Sequence, residues 1–277
     1  MAMGVSGVLW SVRVLVLLQL VSGILGWGEE GHYATGKIAE GYLTAEALAA
    51  VKELLPESAE GDLANVCSWP DEIKSLSQYR WSSALHFADT PDLKCNYEYC
   101  RDCHDSAGSQ DRCVTGAIYN YTYQLSSAYQ NSSSESNYNS TEALIQSTGY
   151  KALRSIVTGL VWDDMIIELA LKTFYGSNLA TMIQSIQNNI TENWSNELPS
   201  WESCAYNHTA CPNPYASESV SLACKFAYRN ATQGSTLEDD YFLSRLPVVE
   251  KRLAQGGIRL AATLNRIFAS PLKIAQA

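Results

Sequence analysis

The run Trp27-Gly28-Glu29-Glu30-Gly31-His32 could build part of a metal site. A cut after Gly26 would leave Trp27 with a free α-amine, and that amine can chelate a cation together with its own carbonyl oxygen. His32 lies close enough in sequence to supply the next ligand. Two later stretches offer more donors: Asp71 in S-W-P-D-E-I-K, and His86 in S-A-L-H-F-A-D-T with Asp89 three residues on. Imidazole and carboxylate are both ligands that zinc accepts. The other histidines are poorer candidates. His208 falls inside a glycosylation sequon, which places it at the surface, and His104 sits among clustered cysteines in what reads as a solvated loop. Taken singly, each candidate is more often structural than catalytic. Taken with an N-terminal Trp, they read as a ligand set for zinc.

The cut has a physical basis. Residues 1–26 have the form of a secretory leader: Arg13 ahead of an apolar stretch from Val14 to Leu25, with the small residues Ser22, Gly23 and Gly26 at its end. That apolar run is shorter than the ~18 residues a membrane span needs, and no later stretch is apolar enough to span. The expectation is a chain passed through the secretory pathway and then secreted or delivered to a vacuole, with no membrane anchor. The formal net charge is −10, which argues against capture of nucleic acid over a broad basic surface. It leaves room for an enzyme that holds phosphate locally through metal ions. Eight cysteines in such a chain imply disulfides. The four from Cys95 to Cys113 resemble a zinc site only loosely, and the extracellular setting favours disulfides. Asn120, Asn131, Asn139, Asn189, Asn193, Asn207 and Asn230 head N-x-S/T sequons, the signature of a glycoprotein.

The elements that must position these residues are helical. Thr44 can cap a helix carrying Leu48, Val51 and Leu55, with Pro56 past its end. Trp162, Met165/Ile166, Leu169 and Thr173 predict a second apolar face. Leu179, Ile183, Ile186 and Ile190 predict a third at steps of four, three and four. Val249, Leu253, Gly257, Leu260, Leu264 and Ile267 form the longest stripe, and Gly256-Gly257 within it predicts close helix packing or a kink. No period-two alternation competes with these. The fold class is all-α, one domain over residues 27–277, with a Ser-, Asn- and Tyr-rich loop at 126–140 and a monomer as the default state.

Several stretches carry a family resemblance. W-G-E-E-G-H, C-S-W-P-D-E-I-K, L-H-F-A-D-T-P-D, V-W-D-D-M-I-I-E, N-P-Y-A-S-E-S and S-R-L-P-V-V-E-K-R-L-A-Q-G-G-I-R-L-A resemble the plant S1/P1-type nucleases, also called bifunctional or senescence-associated endonucleases. The resemblance runs from Trp27 to about Phe268 with one break. It implies a fold similar to zinc phospholipase C, a cluster of three zinc ions in a cleft, and hydrolysis of single-stranded DNA and RNA to 5′-phosphomononucleotides, with 3′-nucleotidase activity besides. It implies zinc ligands at Trp27 and His32 for one ion, Asp71 and His86 for a second, and Asp163 for the third. Asp71 would also lie near the attacking water, and Lys74 would face the phosphate. Phe87 would stack on a base and Asp89 would hydrogen-bond its edge. Stacking tolerates any base but needs an unpaired one. The resemblance further implies disulfides Cys95–Cys224, Cys103–Cys113 and Cys204–Cys211. Its remaining pair would join Cys67 to a cysteine near the first helix, but Gly36 stands there, so Cys67 is left without that partner and Cys100 is an additional thiol. A zinc phospholipase is the weaker reading, because L-H-F-A-D-T supplies both the stacking ring and the base-reading carboxylate.

The break falls at residues 145–160. The family carries a helix with H-x-x-x-D-x-x-x-x-x-H there, then a glycine-rich stretch, then H-x-V-W-D. This chain reads I-Q-S-T-G-Y-K-A-L-R-S-I-V-T-G-L before Val161-Trp162-Asp163, with no His or Asp and fewer residues. Gly159 stands in place of the last histidine. The missing aspartate is one that bridges two zincs, so two sites lose a ligand together, and metal affinity falls with each ligand lost. Block replacement between intact flanks is the pattern of a skipped or misread exon. It is equally the pattern of a glycoprotein that has shed catalysis and retains, at most, nucleotide binding. The expectation is a nuclease by descent, with reduced zinc occupancy and doubtful activity. Ala152, Leu153, Ile156 and Val157 could form a short replacement helix, which would leave the lost volume unfilled.

Overall fold

The computed structural model describes residues 28–91, 94–132, 164–205, 208–227, 229 and 239–268. Among them there are helices and connecting turns but no strand, apart from one isolated bridge between His104 and Gln110. The leader, Trp27, Asp163 and the whole 145–160 segment with its expected replacement helix lie outside the described residues, as do Asn139, Asn207 and Asn230. No described helix is long and apolar enough to cross a membrane.

A single long helix organises the rest. In chain order the helices are α1 (Glu29–Glu40), α2 (Ala45–Leu54), α3 (Trp69–Ile73), α4 (Tyr99–Asp102), α5 (Val114–Ser132), α6 (Asp164–Phe174), α7 (Leu179–Glu192), α8 (Leu198–Glu202), α9 (Pro212–Leu222) and α10 (Asp239–Phe268). Every residue of the predicted stripe on α10, from Val249 to Ile267, is buried. Its middle packs with α1, α6 and α7 around Ile38, Ile167, Ile186 and Leu253, and its C-terminal end packs with α1, α2 and α5 around Val51, Leu63, Leu125 and Leu264. Full burial of each such side chain is worth ~1.5–3 kcal/mol relative to exposure, so these two clusters fix how the helices cross.

The glycine pair in α10 serves close packing. A Cβ at Gly257 would lie 2.4 Å from Ile38 Cγ2 and 3.1 Å from the carbonyl oxygen of Thr35. Only a bare backbone allows α1 and α10 to meet this closely, while α10 continues as helix through the position.

Local signals set the shorter helices. Thr44 caps α2 by accepting from Ala47 N–H at 3.2 Å, and Asn178 caps α7 by accepting from Thr181 N–H at 3.1 Å. The α7 stripe points inward as its spacing predicts, with Met182 added. The face expected on α6 requires correction. Ile167, Ala170 and Leu171 are the buried residues, Met165, Ile166 and Leu169 are only half-buried, and Thr173 is exposed. Met165 to Leu171 is apolar at every position except Glu168, so two neighbouring faces fit the helical period. Glu168 and its partner Lys172, at 3.4 Å, take the wet side and turn the Ile167 face inward.

Three disulfides staple the loop-rich half. Cys95–Cys224, Cys103–Cys113 and Cys204–Cys211 have Cα separations of 5.9, 4.9 and 5.5 Å, all within the normal range. Each contributes on the order of 2–4 kcal/mol. Cys67 remains a buried thiol and Cys100 an exposed one.

Candidate metal centre

Three of the expected site residues come from three different elements. His32 lies in the first turn of α1, where its N–H bonds Gly28 O at 3.0 Å, and its side chain is buried. Asp71 lies in the first turn of α3, whose second residue, Pro70, has a ring that pre-sets the helical φ. His86 ends the run of 3-10 turns from Ser77 to His86. These elements bring His32 Nε2 to 2.8 Å from Asp71 Oδ2 and His86 Nε2 to 3.7 Å from Asp71 Oδ1. Lys74, one turn after Asp71, donates its ammonium to Oδ1.

The hydrogen bonds assign the ring protons. His86 Nδ1 lies 2.9 Å from Ser82 O, which can only accept, so Nδ1 carries a hydrogen. Nε2 is buried, has no hydrogen-bond partner, and faces a carboxylate oxygen. His32 donates Nε2–H to Asp71, and its Nδ1 is buried without a partner as well. A cation between His86 Nε2 and Asp71, whether a proton or a metal ion, would be held by both. Burial tends to raise the Asp71 pKa, but the hydrogen bonds from His32 and Lys74 outweigh it and hold the carboxyl at about 2. Asp71 is therefore an anion at mildly acidic and neutral pH.

In type these donors fit zinc. In number they are too few: among the described residues, no group of three or more His, Cys, Asp or Glu side chains could hold a metal ion. The pairwise contacts pass through Asp71 without closing on one point. Beyond the triad, Phe87 and Asp89 are exposed beside His86. The carbonyl of Phe87 accepts from Val114 N–H at 2.9 Å, which anchors the ring's backbone to the start of α5.

Sequence reasoning missed two features. Ser82, which orients His86 through its carbonyl, acts through backbone and leaves no sequence signal. Glu218, Arg252 and Arg259 form a network 2.5–2.8 Å across. They lie within quoted motifs, but their spacing gives no sign that they meet.

An all-helical scaffold that gathers a buried histidine with a half-buried aspartate and histidine has part of the donor chemistry of a metal-dependent hydrolase. Comparison with known proteins narrows this class. The S1/P1 Nuclease family model matches residues 27–149 and 160–269, and the chain belongs to that family. It is 61% identical to Endonuclease 4 of Arabidopsis thaliana over 95% of this chain and 96% of that protein. It is 58% identical to Endonuclease 3 of the same plant over 99% of this chain and 100% of that one, and 26% identical to Nuclease P1 of Penicillium citrinum over 89% and 99%. The family match stops within the segment that the sequence marks as replaced. The aligned length against Endonuclease 3, 299 positions, exceeds the 277 residues of this chain, so that relative carries residues with no counterpart here.

Proposed function

We propose that this chain is a secreted or vacuolar, zinc-binding member of the S1/P1 nucleases whose hydrolysis of single-stranded DNA and RNA is strongly impaired. The observation that carries the reading is the gap in the family match at residues 150–159. It falls where the family's H-x-x-x-D-x-x-x-x-x-H helix and following histidine belong. Trp27, His32, Asp71, His86 and Asp163 would be the ligands that remain. The unpartnered ring nitrogens of His32 and His86, on rings that contact Asp71, support residual zinc affinity at that end of the cluster. Zinc, when bound, would supply a low-pKa water and charge stabilisation at the phosphate.

The chain's own residues bind and orient. Phe87 offers a ring face to an unpaired base, and Asp89 accepts from the base edge, which supports single-strand preference and action on 3′-nucleotides. Lys74 reaches phosphate once it leaves Asp71. Asp71 remains ionised throughout, able to hold a cation or accept from a water. Because Phe87 and Asp89 are intact, nucleotide binding without turnover is the second reading. Both are tested by assaying the mature chain beside Endonuclease 4 on single-stranded DNA, with added zinc at mildly acidic pH, and by measuring bound zinc. Turnover near that of the relative, with close to three zincs, would overturn the proposal. Retained nucleotide binding with neither would favour the second reading.

A further inference from the structure

Seven large apolar side chains stand exposed among the described residues, and three of them, Leu76, Trp81 and Phe87, lie on one short stretch of chain leading past His86. Trp81 is 51% exposed, more than Phe87 at 38%. An indole left half in water forgoes much of its burial energy, and none of the roles assigned above uses it.

Trp81 and Phe87 share one support. The run of 3-10 turns that ends at His86 carries Trp81 and delivers Phe87 at its C-cap. At three residues per turn, position 87 follows position 81 by two turns on the same side, ~12 Å further along at ~2 Å per residue. Arg112 Nη2 donates to Trp81 O at 2.7 Å, and Val114 N–H donates to Phe87 O at 2.9 Å. Between these two anchors Cys113 is tied to Cys103, and Arg112 is itself paired with Asp105 at 3.1 Å. Both backbones are thus held against the same disulfide-stapled turn. The residue before Trp81 adds charge: Arg80 is exposed and enters no ion pair among the described residues. In a chain of formal net charge −10, a free cation next to an exposed indole is a local exception. Aromatic platforms accompanied by a cation hold single strands without regard to sequence.

We infer that Trp81 is a second base-stacking platform for single-stranded nucleic acid, with Arg80 facing the backbone phosphates between it and Phe87. The inference rests on the reading of Phe87 and Asp89 as a nucleotide site. The ~12 Å along the run exceeds the ring spacing of a stacked pair, ~4.5–7 Å, so the two platforms serve two bases. The occupant is therefore a strand of two or more nucleotides. A duplex hides its base faces, and a mononucleotide stacked on Phe87 leaves Trp81 bare.

Fluorescence anisotropy with a short fluorescein-labelled oligothymidylate, and calorimetric titration with thymidine 3′-monophosphate, test the assignment on the full mature chain. Chelator treatment keeps the strand intact and removes metal-bound phosphate from both measurements. Trp81→Ala should weaken oligonucleotide binding about tenfold and leave the mononucleotide unchanged. Phe87→Ala should weaken both. Trp81→Phe keeps a ring and should retain most of the oligonucleotide affinity. Arg80→Gln should lower the salt slope of oligonucleotide binding by about 0.7, as expected for one phosphate contact on a single strand. Unchanged oligonucleotide affinity in Trp81→Ala, with Phe87→Ala still weakening the mononucleotide, would overturn the second platform and leave the Phe87 reading standing. Equal loss of both ligands in Trp81→Ala would also overturn it, by showing that the indole acts on the site's structure. Failure of the parent to bind either ligand would overturn both.

Discussion

Asp71 serves three partners with two oxygens. Oδ2 takes the His32 hydrogen, while Oδ1 takes the Lys74 ammonium and also faces Nε2 of His86. The sequence pointed to His32, Asp71 and His86 by residue type and motif, and the structure brings those three together. It gave no hint of which nitrogen of each ring would be free, because a backbone carbonyl at Ser82 decides that for His86. Cys67 is a second case in which one residue's surroundings decide its chemistry. A Cβ at Gly36 would lie 2.6 Å from the Cys67 sulfur and 2.7 Å from Ala64 Cα. A disulfide holds a Cβ about 3.0 Å from the partner sulfur, so the two positions face one another closely enough to be joined. Gly36→Cys should form that bond after a shift of a few tenths of an ångström in the turn at Ala64. Thiol titration of the unfolded, unreduced protein should then fall from two free thiols to one, and stability should rise by roughly 2–4 kcal/mol. Two remaining thiols would show that the backbone at Ala64 does not yield.

Helix existence was readable from apolar spacing, whereas helix phase was readable only where polar residues bracket the stripe. On α7 and α10 they do, and the inward residues follow the spacing. On α6 the apolar run leaves two solutions, and the wet side taken by Glu168 and Lys172, with packing against Ile258 and its neighbours on α10, selects Ile167. The α1–α10 crossing depends on a missing side chain, so its failure is specific. Gly257→Ala would drive a methyl into Ile38 and should cost about 1–3 kcal/mol in chemical denaturation. No loss would mean that the two helices can move apart freely. The α9–α10 contact adds a pH-dependent element. Burial tends to raise the pKa of Glu218, but Arg252 and Arg259 outweigh it, and the carboxyl ends below its ordinary value. Its folded pKa lies under the unfolded one, so the bridge contributes fully above about pH 4.5. That contribution is lost as pH falls through the folded value. Melting temperature should therefore drop more steeply between about pH 5 and about pH 3 in the parent than in Glu218→Gln, which has no carboxylate to protonate. Parallel curves would remove Glu218 from the acid sensitivity.

At the scale of the whole molecule, the question is whether the scaffold still has a place for the family's sequence where residues 150–159 go unmatched. The flanks are intact: α5 ends and α6 begins within matched sequence, and the family model resumes at residue 160. His32 lies on α1, whose inward residues pack against α10 in both core clusters. On the proposed reading, the impairment comes from a shortened ligand set rather than from an altered fold. Ligand loss acts on catalysis far more steeply than on stability, because metal affinity and the acidity of bound water both depend on a full coordination shell. Replacing residues 145–160 with the corresponding longer stretch of Endonuclease 4 should restore zinc uptake toward three ions. It should also raise turnover of single-stranded DNA by at least about a hundredfold, the scale expected when a metal's ligands are regained. A graft that returns only the glycine-rich stretch, without the helix bearing the histidines and aspartate, should fold and remain inactive. If that second graft were as active as the first, the defect would lie in chain length across the gap. If neither bound more zinc than the parent, the helices flanking the gap would have lost the geometry the family uses, and the impairment would be a property of the scaffold itself.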